Sequence, residues 1–309
     1  MPTLKQLKYL DALARERNYA RAAASCHISQ PALSMQIKEL EGELGIALVE
    51  RGRGTFAMTA PGREIVRRAR AILRASDDLV DYARHADRPL SGTLRFGVIP
   101  TIAPYLLPRA LPLIRARFPD ISLELREAQT NDLVDDLSRG VLDLVLLSLP
   151  IEAPDIETVE LFEDRFLLVT QAEESPDARP LEQRGRVDLA SLSERRLLLL
   201  SDGHCLRDQA LSLCRTADRD TLGELGATSL TTIVQMVANG FGATLLPEMA
   251  IDAEVRDERT ALLRFRDPQP SRTIGLAWRR TSARKADFVA IGQALSELAA
   301  TPSEQAPAA

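Results

Sequence analysis

The chain changes its structural rhythm at Leu90-Ser91-Gly92. Ahead of that break most apolar residues fall at helical spacing. Beyond it, short β-like runs alternate with helix-like ones. Such a change of period predicts a helical N-terminal unit followed by an α/β body. In the first unit, Leu7, Leu10 and Ala14 mark one face of a helix from Leu4. The small residues Ala20-Arg21-Ala22-Ala23-Ala24 suit a second, compact helix. Ser29-Gln30-Pro31 then opens a third, which runs through Leu33, Ile37 and Leu40. Ser caps helix N-termini well, and Pro is tolerated in a first turn because its missing N–H would be unpaired there. Two short helices about a tight break form a helix-turn-helix. Residues 51–59 read as a small hairpin or wing.

Pro61-Gly62 starts a long helix to about Arg84. Along it Ile65, Ala69, Ile72, Ser76, Leu79, Ala83 and Ala86 step by alternating four and three. That heptad seam predicts pairing between two copies of the helix. Past the break, 93–99, 122–128 and 143–149 read as strands, with helices over 104–118 and 131–140. A second such series has strands over 166–170, 196–200, 227–228 and 243–246 and helices over 205–216 and 229–239. A late strand over 272–278 and a helix over 287–298 close the chain. Alternation of this kind predicts parallel sheets with helical crossovers, in two lobes with a cleft between them. The expected organisation is 1–60 winged helix-turn-helix, 61–90 linker and dimerisation helix, 91–165 with 272–300 as lobe I, and 166–271 as lobe II. The Pro/Ala/Ser-rich end, 301–309, reads as a disordered tail.

The net charge of −5 conceals an uneven spread. Residues 1–90 carry 15 Lys or Arg against 11 Asp or Glu, and the rest carry 24 against 33. A mildly basic end on an acidic body suits nucleic-acid binding. The start Met1-Pro2-Thr3-Leu4-Lys5-Gln6 lacks a signal-peptide stretch, and no run is long and apolar enough for a membrane span. A cytoplasmic location is expected. Three cysteines and three histidines offer no zinc spacing, so neither a metal nor a cofactor is expected. Cys26 reads as structural.

The helix from Gln30 presents Gln30, Ser34, Gln36 and Lys38 as polar groups, with Ser29 and Pro31 at its start. Groups near a recognition-helix N-terminus reach base edges, and Lys holds phosphate. Arg51 and Arg53 on the wing could neutralise phosphate or enter a minor groove. The runs Arg21-Ala22-Ala23-Ala24, 29–41, Leu44-Gly45, Leu48-Val49-Glu50-Arg51 and Thr59-Ala60-Pro61-Gly62 resemble the winged helix-turn-helix of the LysR-type regulators. The glycines around Arg53 depart from that pattern in detail. The resemblance reaches to about Leu298. It implies double-stranded DNA as a partner, a homodimer or homotetramer, a two-lobed effector domain like that of periplasmic binding proteins, and contact with RNA polymerase.

Asp202-Gly203 is a plausible helix start that puts Cys205 in the first turn, where the dipole and free N–H groups favour a thiolate. A thiolate attacks peroxide to give sulfenic acid, which a second cysteine can convert to a disulfide. Cys214 follows nine residues later. On one helix that is about 13.5 Å and the opposite face. A disulfide needs Cα atoms within roughly 7 Å. Oxidation would therefore have to unwind the segment; the alternative is two buried structural cysteines. The run 203–210 with Cys214, together with 98–101, 127–130, 227–230 and 272–276, is similar to the hydrogen-peroxide-sensing branch of the LysR-type family. That resemblance implies Cys205 as the peroxidatic residue and Cys214 as the resolving one, with Thr101, Thr130, His204, Arg207, Asp208 and Arg272 around the peroxide. It implies a regulator, not an enzyme. A regulator answering to a small organic effector in the cleft is the alternative. A thiol peroxidase would leave the helix-turn-helix unexplained, and a solute-binding protein would leave the first 90 residues unexplained.

Overall fold

The computed structural model describes residues 1–50, 56–85, 88–172, 186–213 and 227–300. It divides into two units, Met1–Ala86 and Asp87–Ala309. In the first, α1 (Leu4–Glu16), α2 (Tyr19–Ser25) and α3 (Gln30–Leu44) precede the long α4 (Ala60–His85). Thr3 and Gln6 form a capping box on α1, Asn18 caps α2 and Ser29 caps α3 through Ala32 N–H. Each cap satisfies N–H groups that a helix start leaves unpaired. Leu10, Leu13, Ala22, Leu33, Ile37 and Leu40 make a common core. Glu41 Oε1 accepts from Leu48 N–H at 2.7 Å and Val49 N–H at 3.2 Å. This aims the chain into the wing, where Val49 bridges Met58. The wing tip with Arg51 and Arg53 lies outside the described residues.

Helix α4 uses its anticipated seam unevenly. Ala69 is buried inside its own unit, whereas Ile72 is 51% and Leu79 69% exposed. Ala86 and the tail 301–309 lie outside the described residues.

The second unit holds one seven-stranded sheet in the order β2-β1-β3-β7-β4-β5, with β6 on β4. The strands are β1 (Gly92–Val98), β2 (Ile121–Glu127), β3 (Leu144–Leu149), β4 (Ile156–Gln171), β5 (Thr244–Pro247), β6 (Thr260–Arg264) and β7 (Ser271–Arg279). Helices α5 (Ala103–Arg117), α6 (Thr130–Ser138), α7 (Cys205–Leu213), α8 (Leu230–Ala238), the short α9 (Ile251–Glu254) and α10 (Lys285–Ala300) cover it. Lobe I has the parallel pairs expected, β1 with β2 and β3. The rest corrects the all-parallel expectation: β7 pairs antiparallel with β3 and β4, and β4 pairs antiparallel with β5 and β6. The strand expected over 166–170 is the far end of β4. Residues 196–200 and 227–228 make only isolated parallel bridges, and β6 was not anticipated.

Strand β4 is what joins the lobes. Its first part pairs with β7, with a bulge between Glu160 and Phe162, and its second part pairs with β5 and β6. Lobe I closes over Leu94, Phe96, Leu144, Leu146, Ile274, Leu276, Phe288 and Leu295. Lobe II rests on Phe166, Val169, Leu198, Leu206, Ile233, Val234 and Leu246, with a further cluster around Leu168, Leu197, Leu245 and Phe265. Leu, Ile, Val and Phe carry both cores, each side chain contributing on the order of 1.5–3 kcal/mol by burial.

Candidate functional site

Cys205 is the first residue of α7. It is a free thiol, half-buried, and packs on the edge of the lobe I core although its helix belongs to lobe II. Gly203, two residues earlier, has φ +91°, and a Cβ there would lie 2.1 Å from Gln129 Oε1. The positive φ would strain a side chain there, and the end of the Gln129 side chain would have to move aside. Gln129 also donates to the Asp202 carbonyl at 3.4 Å. One turn into α7, Gln209 donates to Ser148 Oγ of β3 at 2.6 Å. The N-terminal half of α7 therefore spans the cleft.

A cavity of about 460 Å³ opens beside Cys205, lined by Thr130, Asn131, Ser148, Asp208, Gln209 and Ser212 on its polar side. Val134, Leu149, Pro150 and Ile151 supply the apolar side. Positions 205, 208, 209 and 212 recur at three and four residues, so one face of α7 forms a wall. Two buried polar atoms here, Thr130 Oγ1 and Gln209 Oε1, have no hydrogen-bond partner among the described residues. Such atoms are rare in native proteins and mark places where a small polar molecule can bind.

The other anticipated pocket residues lie off this lining. His204 is 6% exposed, and burial holds its pKa below the usual value, which favours neutral imidazole. Arg207 pairs with Asp202 at 2.9 Å and donates to the Leu200 carbonyl at 3.0 Å, beneath α7 rather than in the cavity. Thr101 and Arg272 are brought together, but with each other. Arg272 Nε donates to Asp164 Oδ2 at 2.9 Å, Nη1 to Thr101 Oγ1 at 2.8 Å and Nη2 to the Thr101 carbonyl at 2.9 Å. Burial raises the Asp164 pKa, with Arg272 opposing the rise. Cys214 lies outside the described residues. Gln209, Ser148, Gln129 and Asp164 were not anticipated; the spacing from Cys205 to Gln209 was the one signal available.

In the first unit, Ser29, Gln30, Pro31, Ser34 and Lys38 are exposed on α3. Gln36 is half-buried and its amide donates to Glu39 at 2.7 Å. Cys26 is a free thiol at the end of α2, packed on that unit's core.

A helix-turn-helix unit and a two-lobed α/β unit with a cleft define the class of DNA-binding regulators that carry their own sensor domain. Comparison with known families specifies it. Residues 4–63 match the bacterial regulatory helix-turn-helix protein, lysR family, and residues 87–300 match the LysR substrate binding domain. The chain belongs to the LysR family of bacterial transcriptional regulators. It is 41% identical to a probable hydrogen peroxide-inducible genes activator of Streptomyces viridosporus, over 96% of this chain and 94% of the relative. It is 40% identical to the DNA-binding transcriptional dual regulator OxyR of Escherichia coli K12, over 94% of each. Among solved structures, a full-length OxyR cysteine-to-aspartate variant from Pseudomonas aeruginosa aligns with TM-score 0.73 and 33% identity, over 96% of this chain and 95% of that one. A hydrogen-peroxide-bound cysteine-to-serine variant of Corynebacterium glutamicum OxyR aligns with TM-score 0.63 and 34% identity, over 97% and 95%. Among the described residues, no helix is long and apolar enough to cross a membrane and no metal-ligating cluster exists.

Proposed function

We propose that this chain is a peroxide-sensing transcriptional regulator switched by a disulfide between Cys205 and Cys214. One observation carries the reading: Cys205 opens α7 on the wall of a cavity in which Thr130 Oγ1 and Gln209 Oε1 have no partner among the described residues. The names of its relatives and the peroxide held by a structural neighbour support it. In this scheme the Cys205 thiolate attacks one peroxide oxygen and the O–O bond breaks. The departing hydroxide takes a proton and leaves as water, and Cys205 becomes a sulfenic acid. The Cys214 thiol then attacks that sulfur, expels a second water and closes the disulfide. Two thiols and one peroxide give one disulfide and two waters. Thr130, Asp208 and Gln209 serve as hydrogen-bonding groups toward peroxide, which needs both donors and acceptors. His204, buried and next to Cys205 in the chain, stays neutral, while Thr101, Arg207 and Arg272 act through the surrounding framework.

The switch follows from helix geometry. A continuous helix keeps residues nine apart about 13.5 Å from each other, beyond disulfide reach. If one helix carries both cysteines, closure must unwind it and break the Gln209–Ser148 bond across the cleft. The chain binds operator DNA through Ser29, Gln30, Pro31, Ser34 and Lys38 on α3, with Gln36 beside them and Arg51 and Arg53 on the wing. It works as a homodimer or homotetramer paired along the exposed Ile72–Leu79 face of α4, in the cytoplasm and in contact with RNA polymerase, and acts by switching transcription, not by turnover.

Peroxide titration with thiol mass spectrometry tests this. A Cys205–Cys214 disulfide at low-micromolar peroxide is expected, and Cys214→Ser leaves Cys205 oxidisable to the sulfenic acid. Two thiols that stay free would overturn it. A second reading, an organic effector in the cleft, is favoured by a cavity of about 460 Å³, more room than a peroxide needs. Ligand-dependent DNA affinity in a Cys205→Ser chain would establish that reading instead.

A further inference from the structure

Helix α3 exposes more than polar groups. Its buried face is Leu33, Ile37 and Leu40. At about 100° per residue, the opposite side is centred between Pro31 and Met35. Met35 is 56% exposed and Pro31 is exposed beside it one turn earlier. Two rows spaced by four therefore run side by side on the outward surface. One is polar, Gln30, Ser34 and Lys38. The other begins apolar, Pro31 and Met35, before ending on Glu39. Gln36 lies outside these two rows and donates to Glu39 at the end of the second.

A solitary exposed apolar side chain needs no explanation. An apolar pair at the centre of a helix that enters DNA is different, because the major groove offers one apolar feature, the thymine 5-methyl group. The neighbouring row supplies what such a docking needs: a hydroxyl and an amide for base edges and Lys38 for phosphate. Met is also unbranched and adaptable, so it can close on a methyl without an imposed fit.

We propose that Met35, backed by Pro31, is a specificity-determining residue that selects thymine by packing on its 5-methyl group in each half-site. This rests on the helix-turn-helix assignment and is independent of the redox reading.

The test uses the reduced full chain and a duplex that it selects from random-sequence DNA. Each thymine is replaced in turn by 2′-deoxyuridine, which removes only the methyl. In the wild-type chain, one thymine per half-site is expected to show a loss of about fourfold in affinity, the effect of one buried methyl. Met35→Ala abolishes that penalty and Met35→Leu retains it. The salt dependence of binding stays that of wild type in both variants, since no charge is removed. The proposal is overturned if no thymine shows a penalty in wild type, or if Met35→Ala keeps the same penalty at the same position.

Discussion

The two lobes meet along two seams of opposite character. At one, the Arg272 side chain is fully enclosed, facing Asp164 and both oxygens of Thr101, while Asp164 also accepts from Met249 N–H at 3.2 Å. At the other, α7 faces Thr130 and Ser148 across a cavity, and two buried polar atoms lack partners among the described residues. A satisfied buried network rigidifies the elements that it joins. Unused polar capacity has the opposite meaning: it leaves room for a small molecule and fewer bonds to break when a helix is remodelled. Under the proposed switch, the Arg272 seam supports and the α7 seam changes. Met249 packing on the lobe I core and Tyr105 on the lobe II core fit the first role, since each lobe holds a side chain of the other.

The largest effect should come from breaking the saturated seam. Asp164→Asn leaves the buried Arg272 charge without its counter-ion, a loss of about 3–5 kcal/mol in denaturant unfolding. The rate of Cys205 oxidation by peroxide should change little. A rate collapse without loss of stability would mean that the two seams are one site. The converse is Thr130→Val at the open seam, which removes an unpartnered hydroxyl. Stability should hold or rise, while peroxide oxidation slows on the order of tenfold, as for the loss of one hydrogen bond in the transition state. Alkylation by iodoacetamide, which needs no peroxide contact, should keep its wild-type rate. Equal slowing of both reactions would assign Thr130 to Cys205 exposure alone.

Tyr105→Phe offers a smaller probe of the support. The Tyr105 hydroxyl donates to Glu254 at 2.7 Å, and Thr231 donates to the same oxygen at 3.1 Å. Losing one of these two donors should cost about 1 kcal/mol in thermal unfolding. The smallest effect is a pH dependence. Burial lowers the His204 pKa in the folded chain, so the unfolded chain binds more protons below about 6.5. The His204 contribution is therefore complete above that range and declines as pH falls through it. His204→Asn should flatten that part of the stability profile; an unchanged slope would assign the acid sensitivity to other groups.

Much of this was legible in the residue order. Ser29 and Pro31 announced α3, and Leu33, Ile37 and Leu40 its buried side, because caps and helical periodicity are local. The first-turn position of Cys205 was readable for the same reason. The acidic, alternating start of β4 was not, since Glu157, Glu160 and Glu163 look like surface loop until β7 pairs with them. Nor could local spacing distinguish the two fates of the α4 seam, because Ala69 is buried within its unit while Leu79 is exposed.

For the cysteine site the division is sharper. Sequence by itself determined that Cys205 starts a helix and that a disulfide to Cys214 is incompatible with one continuous helix carrying both. Both follow from covalent chain geometry, which acts over a few residues. Only the tertiary structure decided that Thr130 and Ser148 stand opposite α7, and that Arg272 is held by Asp164 and Thr101. Arg272 and Thr101 are 171 residues apart in the chain. Their meeting is set by strand pairing and core closure, which no local pattern encodes.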